Sequence, residues 1–190
     1  MLSILSGKFK GQKLEVPSSG TRPTSALAKK ALFDSIRPDI QSSLFCDLFA
    51  GSGAVGLEAL SQGAEFCYFV EASPRTFAVL KKNTAKLKCQ EMSQLTLAPA
   101  ARFLKSEASI LTTIDFFYID PPYDIKPEDS SSYESILSFL ASTSLKPSVK
   151  IILETNDLPR LDKVLQTTGS FVIFQIKNYG DCHLIYVGLK

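Results

Sequence analysis

A chain of 190 residues, 45% hydrophobic and 21% charged, is long enough for one domain with a sizeable core and is ordinary in composition for a globular protein. It contains neither a long apolar segment nor a charged-then-apolar leader, so no membrane span or secretion is expected and the cytoplasm is the default compartment. The net charge of +2 hides an asymmetry: residues 1–38 carry seven Lys or Arg against two acids, a net +5, while the remainder carries fourteen against seventeen, a net −3. A basic end on a mildly acidic body suits docking to a phosphate backbone, although clusters of this size also occur as plain solvated surface.

Leu2 to Phe9 and Gln12 to Val16 read as two short strands joined through Lys10-Gly11, a hairpin extension over residues 1–24 that carries Lys8, Lys10 and Lys13. Arg22-Pro23-Thr24 follows as a rigid exposed turn, with Arg22 a candidate phosphate or carboxylate contact. Thr24 or Ser25 can cap a helix running to about Ile36, with Ala28, Leu32 and Ile36 down one face, Lys29 and Lys30 on another, and Pro38 as its stop.

The core sheet is expected to begin at Leu44 to Phe49. Next comes Gly51-x-Gly53-x-x-Gly56, after a strand and opening a helix that Gly63 ends. By itself this spacing is a weak signal. Here Asp47 precedes it and Glu71, at the end of the next strand, lies about twenty residues beyond the first glycine, where a carboxylate can hold the two ribose hydroxyls of a nucleoside. The glycines allow close backbone approach and turn helix N–H groups toward a ligand.

Ser73-Pro74 starts a helix to about Leu87, Gln94 to Ala98 is a third strand, and Ala101 to Leu104 begins a short helix. The fourth strand, Ile114 to Ile119, delivers Asp120-Pro121-Pro122-Tyr123 at its carboxyl end. Two prolines stiffen the backbone and remove two N–H groups, leaving carbonyls as acceptors. Asp120 adds a second acceptor and Tyr123 a flat ring, a combination that suits an exocyclic amine on a nucleobase; the bland alternative is an ordinary turn. Residues 124–132 form a polar flap, Ser131 and Glu134 a capping box for the next helix, and Val149 to Leu153 a fifth strand ending at Glu154. Pro159 to Gln166 is a short helix, and Phe171 to Ile176 and His183 to Val187 close the chain as a hairpin pair. His183 reads as a strand residue rather than a catalyst. The four cysteines have no metal-ligand spacing, and no metal is expected.

The segments Leu5 to Leu14, Arg22-Pro23-Thr24, Ala31-Leu32-Phe33, Asp47 to Gly53 with Gly56 to Leu60, and Asp120 to Tyr123 occur in the order of the bacterial 16S rRNA guanine-N2 methyltransferases known as the RsmD family. The chain resembles that family over almost its whole length. Asp47 to Gly56 resembles the first motif of class I S-adenosylmethionine-dependent methyltransferases, and Asp120 to Tyr123 their amino-methylating DPPY/NPPY motif.

The resemblance implies a three-layer α/β Rossmann-like sandwich with a central, mostly parallel seven-stranded sheet, residues 25–190 forming the methyltransferase domain. It implies S-adenosylmethionine as cofactor, bounded by Asp47, Gly51, Gly53, Glu71 and Ala100. Asp120, Pro121 and Tyr123 are then the catalytic residues, and Lys8, Lys10, Lys13, Arg22, Thr24, Lys29, Lys30 and Pro122 the substrate contacts. The expected partner is 16S rRNA in the assembled or assembling small ribosomal subunit, with the enzyme a monomer and no membrane involved. Adenine-N6 methylation of RNA or DNA is the alternative the tetrapeptide also permits, and a binding protein on an inactive fold is a further one.

Three departures from the family pattern stand out. Lys29-Lys30 replaces an arginine-glutamate pair, which removes an ion pair and keeps positive charge. Pro99 stands where a polar residue often meets the adenine, shifting that contact to backbone or to Ala100 and Ala101. Tyr179-Gly180-Asp181-Cys182 replaces a Tyr-Gly-x-Thr motif.

Overall fold

Apolar runs bounded by Gly, Pro and Ser become strands, the central ones buried on both faces, and the amphipathic stretches between them become helices. The computed structural model describes residues 2–17, 26–122, 129 and 132–190, which fall into two compact units, Met1–Ala98 and Pro99–Lys190.

In the first unit, helix α1 (Ala26–Ile36) is followed by β1 (Leu44–Asp47), α2 (Ala54–Gln62), β2 (Phe66–Glu71), α3 (Pro74–Lys86) and β3 (Ser93–Leu97). The three strands pair in parallel in the order β3-β2-β1, with Asp47 opposite Phe69 and Glu71 opposite Leu97. Phe45, Cys46, Cys67 and Phe69 are fully buried. Burial holds the Cys46 and Cys67 thiols well above their ordinary range, so they pack as small apolar groups.

The second unit contains α4 (Ala100–Ser106), α5 (Ala108–Leu111), β4 (Phe116–Ile119), α6 (Tyr133–Ala141), β5 (Lys150–Thr155), α7 (Leu158–Thr168), β6 (Phe171–Tyr179) and β7 (Cys182–Leu189). Its strands run in the order β4-β5-β7-β6; β4 and β5 are parallel, and β7 is antiparallel to both its neighbours. The closing hairpin is longer than expected, turning on Gly180-Asp181 with Gly180 at φ 61°. His183 is a strand residue bonded to Asn178, as expected. The cap of α6 is Ser132, whose side chain accepts from the Ser135 amide; Ser131 lies outside the described residues. Helix α5 is an element the sequence reading does not contain.

The amino-terminal segment departs most from expectation. Its two strands reduce to one antiparallel bridge between Ser3 and Lys13. What fixes the segment is helix α2. The Glu58 carboxylate accepts the Leu5 amide at 2.8 Å and the Ser6 amide at 2.9 Å, and Ser61 Oγ accepts the Phe9 amide at 2.9 Å. Gly7, at φ 78°, lies so close that a Cβ there would stand 1.7 Å from the Ser61 carbonyl oxygen. Residues 5–9 take their shape from α2, while the arms on either side meet each other: the Ile4 amide donates to the Gln12 carbonyl at 3.0 Å, the Gly11 amide to the Ile4 carbonyl at 2.9 Å and the Leu14 amide to the Leu2 carbonyl at 3.0 Å.

Lys29 corrects two expectations. It is buried rather than displayed for RNA, with Nζ 3.0 Å from Glu58 and donating to the Ser3 carbonyl at 2.8 Å. An ion pair is therefore present at this position, not lost. Its aliphatic stem shares the face of α1 that buries Ala28, Leu32 and Phe33. Lys30 remains exposed, in an i,i+4 pair with Asp34 at 2.6 Å.

Removing one partner of a buried ion pair strands the other charge, at a cost of about 3–5 kcal/mol, whereas an exposed pair contributes under about 1 kcal/mol. Urea unfolding should therefore show Lys29→Ala destabilised by roughly 3–5 kcal/mol and Lys30→Ala by less than about 1 kcal/mol. Equal, small losses at both positions would contradict the buried pair.

Candidate cofactor loop and amine site

The loop from Asp47 to Gly56 is held by its neighbours' side chains. The Gly51 amide donates to Glu71 Oε2 at 2.9 Å, while Glu71 Oε1 accepts the Ser73 amide at 2.7 Å. The Gly56 amide donates to Asp47 Oδ2 at 3.2 Å. The Gly53 amide turns back to the Ala50 carbonyl at 2.7 Å. The two carboxylate bonds tie the ends of parallel strands to the turn that opens α2.

The three glycines have different reasons to be glycine. At Gly56 a Cβ would stand 2.3 Å from the Phe69 ring and 2.6 Å from Cys67 Sγ, so its absence lets α2 lie close on β2. Gly53 combines φ 86° with a Cβ position 2.6 Å from Leu80. Gly51, at φ 55°, has nothing closer than 4.0 Å to its would-be Cβ. It is the glycine with open space above it, where a ligand can approach the backbone.

Two carboxylates face this loop. Asp47 is 1% exposed, and its Oδ1 has no hydrogen-bond partner among the described residues. Burial pushes its carboxyl from 3.8 up to about 7; the Gly56 and Phe49 amides oppose that rise, and the nearby Glu71 charge adds to it. Glu71 is half-buried, and each of its oxygens retains a lone pair beyond the amide it already accepts. An orphaned buried acceptor, a second carboxylate with spare lone pairs, open backbone at Gly51 and a helix whose Gly53 cap brings no side chain form a donor and acceptor set that fits a nucleoside bearing a cationic amino-acid end. Ala100 is buried as the first residue of α4, behind Pro99 as its cap.

In the second unit Asp120 follows directly on β4 and is half-buried, Pro121 is buried and Pro122 exposed. Pro121 and Pro122 line a cavity of about 400 Å³ together with Tyr133, Asn156, Asp157 and Arg160. That volume falls in the range of small-ligand sites. Its walls are stiffly built. Tyr133 donates from its hydroxyl to the Glu154 carbonyl, and Arg160 forks onto Glu134 with Nε–Oε1 and Nη2–Oε2 both at 3.1 Å. Asp157 caps α7 by accepting the Arg160 amide at 3.1 Å. Below them Glu154, 4% exposed, accepts from the Tyr118 hydroxyl and from Cys182 Sγ at 3.3 Å, so the departure at Cys182 still supplies a donor.

Lys8, Lys10 and Lys13 are exposed on the amino-terminal segment, with Lys8 lying over the Phe9 ring at 5.4 Å. Tyr123, Arg22 and Thr24, like most of the proposed flap and the Thr24 or Ser25 cap, lie outside the described residues. Among the described residues no cluster of His, Cys, Asp and Glu could hold a metal, and no helix is long and apolar enough to cross a membrane. Sequence reasoning missed Glu58, Asn83, Glu154 and the cavity wall at Asn156 and Asp157. The signal for Glu58 was a lone charge inside the apolar run from Ala54 to Leu60.

The raised Asp47 carboxyl has a pH signature. Its folded value lies above the unfolded one, so the native state holds the proton between pH 3.8 and about 7. The stability this confers is full below pH 3.8 and is lost as the pH rises through about 7. The stability at stake is on the order of 4 kcal/mol, since each tenfold change in proton affinity is worth about 1.36 kcal/mol. Asp47→Asn should show a flatter profile of unfolding free energy than the natural chain between pH 4 and 8; parallel profiles would assign the dependence to other groups.

Known proteins resemble the chain over nearly its whole length. The family model described as conserved hypothetical protein 95 matches residues 2–188. The ribosomal RNA small subunit methyltransferase D of Haemophilus influenzae is 34% identical over 180 residues, covering 93% of this chain and 88% of that protein. The Bacillus subtilis protein YlbH is 29% identical with 94% of each chain covered. Among solved structures, the yhhF protein of Escherichia coli superposes with a TM-score of 0.80 at 26% identity, covering 100% of this chain and 98% of the other. Protein TTHA0928 of Thermus thermophilus does so with a TM-score of 0.78 at 28% identity and full coverage of both. The fold is thus the α/β Rossmann-like sandwich with a mostly parallel sheet, and the chain belongs to the ribosomal RNA small subunit methyltransferase D family of S-adenosylmethionine-dependent enzymes.

Proposed function

We propose that the chain methylates the exocyclic N2 amine of a guanine in the 16S RNA of the small ribosomal subunit. The observation that carries this reading is Asp120-Pro121-Pro122 at the carboxyl end of β4, beside a cavity of about 400 Å³. When bound, S-adenosylmethionine supplies an electrophilic methyl group on sulfur. Asp47, Gly51, Gly53, Glu71 and the backbone at Ala100 hold it, Glu71 by accepting the ribose hydroxyls.

A guanine amine is a poor nucleophile because its lone pair is delocalised into the ring. Asp120 and the Pro121 carbonyl accept its two N–H bonds, orient the nitrogen and favour the tetrahedral, positively charged form that develops as the methyl group arrives. Neither proline has an N–H to compete for those acceptors. Asp120 need not be a strong base, because the proton leaves after transfer. Pro122 borders the base and Tyr123 stacks on it once it has left its neighbours. Lys8, Lys10, Lys13, Arg22, Thr24 and Lys30 position the RNA through phosphates without reading its sequence. The same reading places the enzyme in the cytoplasm, acting as a monomer.

The test is methyl transfer from labelled S-adenosylmethionine to isolated small ribosomal subunits, followed by nucleoside analysis. Label in N2-methylguanosine is expected; label in N6-methyladenosine, or none, would overturn the reading. Under single-turnover conditions with both partners saturating, Asp120→Ala should slow transfer by about 10²–10³, the cost of removing one preorganised group. Asp120→Asn keeps an acceptor and should retain more activity than Ala. Glu71→Ala should weaken S-adenosylhomocysteine binding, and unchanged affinity would remove Glu71 from the cofactor site.

A further inference from the structure

Asn83 lies on α3 and is fully buried, yet it has no part in the chemistry described above. Its Oδ1 accepts the Glu15 amide at 2.8 Å, and its Nδ2 donates to the Glu15 carbonyl at 3.0 Å and to the Ser52 carbonyl at 2.8 Å. Both backbone groups of Glu15 are thus met by one side chain, as a neighbouring strand would meet them. The second amide proton is spent on the loop between Gly51 and Gly53. The orientation of the amide is not interchangeable: a flip would set Nδ2 against the Glu15 N–H and Oδ1 against two carbonyl oxygens.

The two segments joined by this amide have separate duties. Glu15 follows two residues after Lys13, whose carbonyl is itself held to α3 by Lys86 Nζ at 2.7 Å. Ser52 shares a planar peptide unit with Gly53, whose N–H is committed to the Ala50 carbonyl at 2.7 Å. Turning the Ser52 carbonyl away from Asn83 therefore also turns the Gly53 amide, and with it the loop. Glu71 pins the same loop at Gly51, and the Asn83 bond is a point at which the amino-terminal segment acts on it directly.

We infer that Asn83 is a positioning residue that couples RNA docking on the amino-terminal segment to cofactor binding at the glycine loop. This rests on the reading that Lys8, Lys10 and Lys13 dock the RNA. Ordering the segment orders the amide, so the loop has less freedom left to lose when cofactor binds. The coupling is reciprocal: cofactor tightens RNA binding by the factor by which RNA tightens cofactor binding.

Equilibrium dialysis of labelled S-adenosylhomocysteine against the full chain, with and without saturating small ribosomal subunits, measures that factor. The natural chain should bind about five- to tenfold more tightly with subunits present. Glu15→Pro removes the Glu15 N–H, together with an exposed carboxylate 3.8 Å from Lys82 Nζ, and leaves the Ser52 bond, which avoids the folding risk of Asn83→Ala. In both variants the factor should fall to within about twofold of unity, while Glu15→Pro keeps its separate affinities for each ligand within about threefold of the natural chain. A factor of one in the natural chain, or an unchanged factor in Glu15→Pro, would overturn the inference. A merely structural Asn83 would lower the unfolding midpoint and leave the factor intact. Substituting Lys8, Lys10 and Lys13 together by Ala separates the two failures. An unchanged salt dependence of subunit binding rejects the docking reading and the inference with it. A reduced salt dependence with coupling intact in Glu15→Pro rejects only the role of Asn83.

Discussion

Three side chains hold the backbone between Asp47 and Gly56, and most of the first unit is arranged around that restraint. Asp47 takes the Gly56 amide, Glu71 the Gly51 amide and Asn83 the Ser52 carbonyl, each coming from a different element. A glycine-rich turn left to itself carries more conformational freedom than any other segment, and freezing it on binding would consume much of the affinity gained. Here much of that ordering is already present in the folded chain. The restraint also has a cost: Asp47 is buried with one oxygen unpartnered among the described residues and another carboxylate close by, which is why its proton is held so firmly. A cationic group arriving at the loop relieves that unfavourable arrangement.

The same logic of buried polar anchors extends through α2. Glu58 and Ser61 replace a partner strand for residues 5–9, and Lys29 neutralises Glu58 from the other side. The segment keeps Lys8, Lys10 and Lys13 exposed while the backbone of residues 5–9 is served by the helix that starts at the glycine loop.

Strand order of appearance, the glycine loop and Asp120-Pro121-Pro122 were legible because each is written in local chemistry: apolar runs, φ-permissive residues, proline stiffness. Asn83 was not legible, because an asparagine in the middle of a polar helix has the same local pattern whether it faces water or a buried carbonyl. Lys29 differs from expectation for a related reason. Spacing put it on a different face from Ala28, Leu32 and Ile36, and only the tertiary position of Glu58 decides that a lysine there points inward. The paired arms at the amino terminus are shorter than expected, because alternation describes an extended chain without saying that α2 satisfies the backbone of residues 5–9. At the second site, the proline pair was visible and the far wall was not, since Asn156, Asp157 and Arg160 follow a strand more than thirty residues later.

The loop from Asp47 to Gly56 is already built in the ligand-free protein. Amide hydrogen exchange of the ligand-free protein, resolved at Gly51 and Gly56, tests it most directly. Both amides should exchange at least about a hundredfold more slowly than in an unstructured peptide, and Glu71→Ala should release Gly51 while Gly56 stays protected by Asp47. Exchange of Gly51 at the peptide rate in the unliganded natural chain would contradict it.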